Sequence, residues 1–593
     1  MDIVDWPKSQ TDVKHLLQER ARLTQLLLKY PYDLFHYLSR SNVYSDLEYH
    51  DLAAGDAYKA LLLTDEIQED SGEYHEEALE SFHYHQDTDY DSSPGDYESR
   101  FHTCGWDDEV DDEEEEKSDD DVDDDGCPAC DPEVPSFYVI LETMTAECYH
   151  TLVASLLACG CLESAMDFCE RGVTVMSNVD EVKEKVVRAA KTRLCTETLP
   201  PGKLPEVGHC RREIYPWNSY EPDRFSESSL SFLNAEMAKA APKCEVRVTS
   251  LPTLTSTTTD APASTNRQLG IFATAPIAPG EVVLREQSVL TATNRLHASL
   301  CDACHAALPA LDSDQPPIPC PNPECDDTLF CSPACLAAAQ STYHPALCKP
   351  DAEPTSLSTN PHPDTLYLHL VMRALAIGQT TKVHPLRIPQ LQYITGDFQT
   401  PADSTAHQSL PFNFALSIAN PLHLLTTTLR LNPYTSLATT DFWILQTISA
   451  KLRSTASARV DPVDGKPEAA AVHPLWCLAN HDCAPNVRWE WAGGEMAFWA
   501  RDEDPVKLEG QPGVKAAVIQ PGDEIRGHYC DVSLPVRERR EWMMGCLGGV
   551  CMCERCRREE ASGVKVEEAA GEVVAAAGEV KAVAVEVERM GEQ

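Results

Sequence analysis

The chain is poor in positive charge. Its 48 Lys and Arg stand against 95 Asp and Glu, for a formal net charge of −47. Phosphate backbones are held by Lys and Arg, so this balance argues against direct nucleic-acid binding by the chain as a whole. It favours a partner or substrate that is itself basic. Also lacking is any run of 18 apolar residues, so no membrane span is expected. The opening MDIVDWPKSQ is polar and acidic, unlike a cleavable leader. No convincing basic import cluster is present either, and VRERRE at 536–541 reads as a solvated helix face. The expected location is therefore intracellular, in nucleus and/or cytoplasm. In such a reducing compartment, clustered cysteines are metal ligands rather than disulfides.

With 593 residues and 42% apolar content, the chain is long enough for several domains with cores of their own. Helical spacing of Val13, Leu16, Leu17, Ala21, Leu23, Leu26 and Leu27 opens a helical region over 11–65. Tyr37, Tyr44, Ala53 and Ala57 stand at offsets of 7, 16 and 20, and Tyr149, Leu156, Ala165 and Cys169 repeat those offsets. Large residues followed by small ones at these positions resemble tetratricopeptide (TPR) helix pairs; two generic helical hairpins are the plainer alternative. The helical region continues over 134–194, and a helix near 181–194 would have to cap the array. Between the two parts, 66–133 reads as an acidic, disordered insert. Its block Asp107–Asp125 holds 15 acidic residues in 19 positions and one Lys. Residues 195–262, rich in Pro, Ser and Thr, read as a linker.

From Gln268 onward, short apolar runs broken by Gly and Pro predict strands. LGIFATAPIAPGEVVLREQ suggests a hairpin turning at Pro279-Gly280, and 486–500 a second one around Gly493-Gly494. Residues 363–378 and 441–454 read as helices. The tail from 559 to 593 carries no chemistry.

Of the 24 cysteines, eleven lie at metal-like spacings within 301–348, at 483 and within 551–556. CDAC, CPNPEC, CSPAC and HPALC supply Cys301, Cys304, Cys320, Cys325, Cys331, Cys335, His344 and Cys348, enough N and S ligands for two tetrahedral zincs. Their order resembles a MYND finger, whose ligand pairs interleave. The resemblance implies one ion on Cys301, Cys304, Cys331 and Cys335, and another on Cys320, Cys325, His344 and Cys348. The 304–320 gap and the four residues inside CPNPEC are longer than usual for that family. CPAC at 127–130 lies beside the acidic run and reads as a solvated loop.

The most specific motifs are NHDCAPNV (480–487), GDEIRGHYCD (522–531) and CMCERC (551–556). Together they resemble the core signature of SET-domain protein-lysine methyltransferases. With the MYND-like insert and TPR-like helices, the chain is similar to the SMYD proteins and, more closely, to fungal TPR-plus-SET proteins. The resemblance implies a multidomain α+β chain: N-terminal TPR-like helices, a β-rich SET domain over 263–556, the MYND-like finger inserted at 301–348, and a post-SET zinc segment at 546–558. It implies Tyr529 as the active-site tyrosine. Asn480 and His481 would contact S-adenosylmethionine (SAM), and Leu269, Gly270 and Ile271 would offer it backbone. Cys551, Cys553 and Cys556 leave a fourth zinc position, which the family fills with the NHxC cysteine, here Cys483; Cys546 is a rival. About three zinc ions follow. Asp482 stands where the family has Ser, and Gln268 where it often has Gly.

The implied activity is methyl transfer from SAM to the ε-amine of a lysine in a histone or other basic protein. Peptide partners would dock on the TPR-like or MYND-like surfaces. The competing reading is a catalytically inactive scaffold of the same modules. An acidic histone chaperone rests on charge alone.

Overall fold

The computed structural model describes residues 10–87, 137–194, 203–211, 213–252, 265–293, 299–325, 328–348, 363–396, 409–453, 455–460, 467–492, 494–503, 516–547 and 550–562. The chain is mixed α+β and divides into two units, residues 1–158 with 164–189 and residues 159–163 with 190–593. Among the described residues, no helix is long and apolar enough to cross a membrane.

The first unit is helical. It is built from α1 (Gln10–Lys29), α2 (Leu34–Asp46), α3 (His50–Gln68), α4 (His75–Asp87), α5 (Phe137–Cys159), α6 (Leu162–Arg171) and α7 (Val179–Leu194), the last running past the unit's boundary. Asp33 starts α2 by accepting the His36 N–H at 2.9 Å, which satisfies one of the open amides of the first turn. Tyr37, Tyr44, Ala53 and Ala57 are all buried as α2 packs against α3, where the alanines let the helices close in. Leu156, Ala165 and Cys169 are likewise buried, and Tyr149 is half-buried. Arg40 of α2 bridges to Asp56 of α3 through two bonds of 2.6 and 2.8 Å, with both side chains sealed from solvent. The stretch assigned to an acidic insert needs correction at its start. Residues 75–87 form α4, because Ala78 and Phe82, one turn apart, are buried, Phe82 stacking on Phe35. The acidic block 107–125 and the CPAC sequence lie outside the described residues.

The second unit begins with β1 (Val207–Arg211), α8 (Glu227–Ala240), β2 (Cys244–Pro252), β3 (Thr265–Ala273), β4 (Val282–Gln287) and β5 (Leu290–Thr293). A cysteine-rich insert follows, with β6 (Ile318–Pro319), β7 (Leu329–Phe330), α9 (Pro333–Thr342) and α10 (His344–Leu347). Next come α11 (Pro363–Thr381), α12 (Pro389–Gln392), β8 (Ser409–Asn413), α13 (Asn420–Thr427), α14 (Leu437–Thr440) and α15 (Phe442–Arg453). The described residues end with β9 (Ser457–Val460), β10 (Pro467–Val472), β11 (Asn480–His481), β12 (Val487–Ala492), β13 (Glu495–Ala500), β14 (Glu524–Gly527), α16 (Val536–Leu547) and α17 (Glu554–Ser562).

The strands form small sheets, in the orders β11-β14-β3-β2, β12-β13-β4, β5-β10-β9, β1-β8 and β6-β7. Between them lies a core of Val246, Leu269, Ile271, Val283, Phe498 and Ile525, among others. Two expectations fail here. The assigned linker 195–262 contains α8 and the nine-residue β2, which pairs with β3 along its whole length from Cys244↔Ala273 to Pro252↔Thr265. Leu233 and Met237 of α8 sit in that core, so the segment's apolar residues outweighed its Pro- and Ser-rich composition. The expected hairpin across Pro279-Gly280 is a turn without a hairpin. β3 is flanked by β2 and β14, whereas β4 pairs with β13 in another sheet. Gly280 takes φ +78°, and its N–H bonds to Ala500 O at 2.9 Å, steering the chain from one sheet to the next.

Candidate functional site

Among the described residues, three groups of four soft ligands converge, and a smaller group of His481, Cys483 and Cys530 shares Cys483 with the third. In the insert, Cys301, Cys304, Cys331 and Cys335 form one group and Cys320, Cys325, His344 and Cys348 another, each with its ligand atoms within 4.8 Å of one another. The interleaving follows from β6 and β7, which pair antiparallel with α9 directly after them, so that ligands distant in sequence alternate between two poles. A tetrahedral zinc with bonds of about 2.3 Å sets its sulfurs about 3.8 Å apart. Cys304 and Cys335 each lie 3.6 Å from the Cys331 sulfur, and Cys320 lies 3.8 Å from Cys348. These separations are far longer than the ~2.05 Å of a disulfide. His344 presents Nε2, 3.8 Å from Cys325 Sγ. Contact with the Cys304 thiol holds Cys301 down at about 5 and raises Cys304 in turn. The long CPNPEC spacing is absorbed by Asn322, whose amide N–H reaches Cys320 Sγ at 3.5 Å and whose Nδ2 reaches Cys348 Sγ at 3.3 Å. These groups can hold metal ions such as zinc, with Asn322 orienting the ligands from outside.

The third group joins Cys483 to Cys551, Cys553 and Cys556. Cys483 lies 3.9 Å from Cys551 and 3.4 Å from Cys556. Contact with Cys483 drives the neighbouring thiols apart, Cys551 upward and Cys553 downward. Four thiols so close ionise together only when a cation supplies the counter-charge. Arg539, expected on a solvated face, is instead buried, with Nη2 3.6 Å from Cys556 Sγ and 2.5 Å from Glu559. The ion pair with Glu559, with the Cys556 sulfur as a second acceptor, holds that guanidinium inside. Arg555 donates to the Cys483 carbonyl at 2.6 Å and to Val532 O at 2.8 Å. The rival ligand Cys546 has no described side chain. His481 and Cys530 also lie beside Cys483. The His481 ring stands outside the ligand set. Its Nδ1 accepts the Tyr529 N–H at 3.0 Å, which leaves the proton on Nε2 to be donated to Cys483 Sγ at 3.2 Å.

Next to this sulfur cluster, β11 pairs parallel with β14, Asn480 opposite Arg526 and His481 opposite Gly527. The pairing threads Asn480, His481 and Tyr529 into one neighbourhood. The Tyr529 hydroxyl donates to Ala479 O at 2.7 Å, and its ring lies 5.3 Å from that of His481. Asn480 Nδ2 donates to Leu269 O at 3.0 Å and to Glu524 Oε1 at 2.7 Å. Leu269 and Ile271 point their side chains into the core, so only their backbone borders the site. Gly270 faces the Asn480–Glu524 pair. A Cβ there would stand 2.6 Å from Glu524 Oε1 and 3.0 Å from Asn480 Nδ2, so a side chain at 270 would push the Glu524 carboxylate out of this arrangement. Gln268, the other unusual residue of this strand, pairs in register with Thr249 and leaves the strand regular.

Asp482 is engaged: Oδ1 accepts the Ala484 N–H at 2.8 Å and Oδ2 the Arg526 guanidinium at 3.0 Å. Burial nevertheless raises its pKa. Four contributors were not singled out by sequence: Glu524, Arg526, Arg539 and Glu286. The last is buried on β4 and accepts the N–H groups of Leu475 and Trp476 at 2.9 and 2.8 Å, fixing the turn that leads into Asn480. The motif at 522–531 contains Glu524 and Arg526 and VRERRE contains Arg539, though none was given a role; nothing in the local sequence marks Glu286. Compared with known proteins, the chain matches no family model, and no curated protein matches it significantly.

Proposed function

We propose that the chain is a SAM-dependent protein-lysine N-methyltransferase of the SET type, carrying TPR-like helices and a MYND-like zinc insert. The observation that carries this reading is the convergence of the Asn480-His481 pair with Tyr529 and with Gly270, both distant in sequence, beside a cysteine group that ties in the segment 551–556. The residues fit the cofactor. Gly270 leaves room for Asn480 beside the strand, and the Glu524 carboxylate, 7% exposed and paired with Arg526, holds the Asn480 amide in place. When bound, SAM supplies an electrophilic methyl group.

The chain's own work is to present and prepare the lysine. From an ordinary pKa near 10.4, deprotonating its ammonium at pH 7 costs about 4–5 kcal/mol. Apolar surroundings lower that cost by disfavouring the charged form. Tyr529 packs beside the Cys483 cluster with Val536 and Trp542, and its ring lies 5.3 Å from that of His481. With its hydroxyl fixed on Ala479 O and its amide fixed on His481, Tyr529 is preorganised, and alignment of this kind contributes on the order of 7–11 kcal/mol.

Calorimetric titration of zinc-replete protein with SAM tests the reading, with Asn480→Ala as control. One-site binding lost in the variant, together with methylation of a Lys-rich peptide, is the expected result. A folded, metal-loaded chain that binds no SAM would instead leave the interaction scaffold as its function.

A further inference from the structure

Glu524 and Asp482 put two carboxylates beside the Asn480 loop, with side chains only 7% and 14% exposed. One guanidinium serves both. Arg526 Nε and Nη2 lie 3.1 and 3.0 Å from Glu524 Oε2, and Nη1 lies 3.0 Å from Asp482 Oδ2. Glu524 passes the constraint on through its other oxygen, which receives Asn480 Nδ2, and that amide also holds Leu269 O. The backbone closes the circuit. Arg526 N donates to Asn486 Oδ1 at 2.9 Å, Asn486 Nδ2 to Glu524 O at 2.8 Å, and Asp482 N to Gly527 O at 2.9 Å. The chain Asp482–Arg526–Glu524–Asn480–Leu269 thus spans β11, β14 and β3.

We infer that Arg526 is a positioning residue for cofactor binding, which holds Asn480 toward Gly270 by clamping Glu524 and Asp482 together. This rests on the SAM reading above. A planar fork meets two carboxylates at once in a way an ammonium cannot, so shape as well as charge is required. Take the fork away and two carboxylates repel each other beside Asn480, Glu524 is free to rotate, and the Asn480 amide loses its fixed acceptor. Asp482 is the element that makes the cation necessary at this loop; with a neutral residue there, Arg526 has a single carboxylate to hold.

The test is SAM affinity by calorimetry on the full-length, zinc-loaded chain, alongside its thermal unfolding midpoint and zinc content. Arg526→Ala is expected to weaken SAM at least tenfold with midpoint and zinc content held, and Arg526→Lys to recover only part of the loss. Adding Asp482→Ser to Arg526→Ala should recover severalfold more than Asp482→Ser gains in the wild-type background. Arg488→Ala, on an exposed position of β12, is the control expected to bind as wild type. If wild type binds SAM and Arg526→Ala binds within twofold of it, the inference is overturned while the cofactor reading stands. A fall in affinity only in step with lost midpoint and zinc also overturns it, as ordinary destabilisation. A folded wild type that binds no SAM overturns both.

Discussion

A carboxyl group sealed among apolar side chains gives up its proton late, and Glu286 is such a group. Burial pushes it up from the ordinary 4.5 to about 7, even though the Leu475 and Trp476 amides pull the other way. The folded chain therefore binds this proton more tightly than the unfolded chain does. The resulting stability is fully present below about 4.5 and is lost as pH rises toward 7, a swing of roughly 3 kcal/mol. Glu286→Gln, which removes the titrating group at the cost of one of its two N–H acceptors, should flatten that dependence. Melting curves from about pH 5 to pH 7.5 should show the wild-type midpoint losing ground relative to the variant, and parallel curves would show that Glu286 does not titrate. Residues like this one are hard to find in sequence, because a single Glu in VVLREQ looks like the polar half of an alternating strand. The cysteine groups that could hold metal were legible for the opposite reason: soft ligands at close spacing have few other uses, while the place of Cys483 beside Cys551, Cys553 and Cys556 came from the family resemblance, with Cys546 as its rival.

Elements were legible where their own periodicity decided them. The helices α11 and α15 begin and end within a few residues of 363–378 and 441–454, and Gly494, at φ +82°, lies in the expected connection between β12 and β13. What periodicity does not carry is the partner of a strand, since any alternating strand can pair with any other. Hence β3 and β4, adjacent in sequence, entered different sheets, and β2 emerged from a supposed linker. The last described element, α17, is a further case. It is short and strongly polar, and it is held to the rest of the unit by sulfur and by Arg539 and Arg555. Structural zinc at such a site contributes folding free energy on the order of 10–16 kcal/mol in small zinc peptides, so its removal should release the element. Cys553→Ser is expected to lower the metal content by about one ion per chain and to open Arg539, Arg540 and Arg555 to trypsin. The two groups in 301–348 should keep their metal. Mass spectrometry of the digest and elemental analysis check both points; an unchanged metal content would exclude Cys553 as a ligand.

At the scale of the whole molecule, charge is the dominant fact, and it concerns encounter rather than fold. The chain's −47 is unevenly spread, and 15 of its 95 acidic residues fall within 107–125. Under the proposed function, a block of that density would raise the local concentration of Lys-rich substrates by long-range attraction. Such attraction reaches about 30 Å at 0.01 M salt and about 10 Å at 0.1 M, so its signature is ionic-strength dependence. Deleting 107–125 should raise KM for a Lys-rich peptide severalfold at low salt and leave kcat unchanged. Near 0.3 M salt the deleted and complete chains should converge, because screening has already removed what the deletion removes. A neutral peptide carrying one lysine should show no difference at any salt. Equal KM values for the basic peptide at low salt would mean that substrate capture is set by the surfaces around Tyr529 and not by the acidic block.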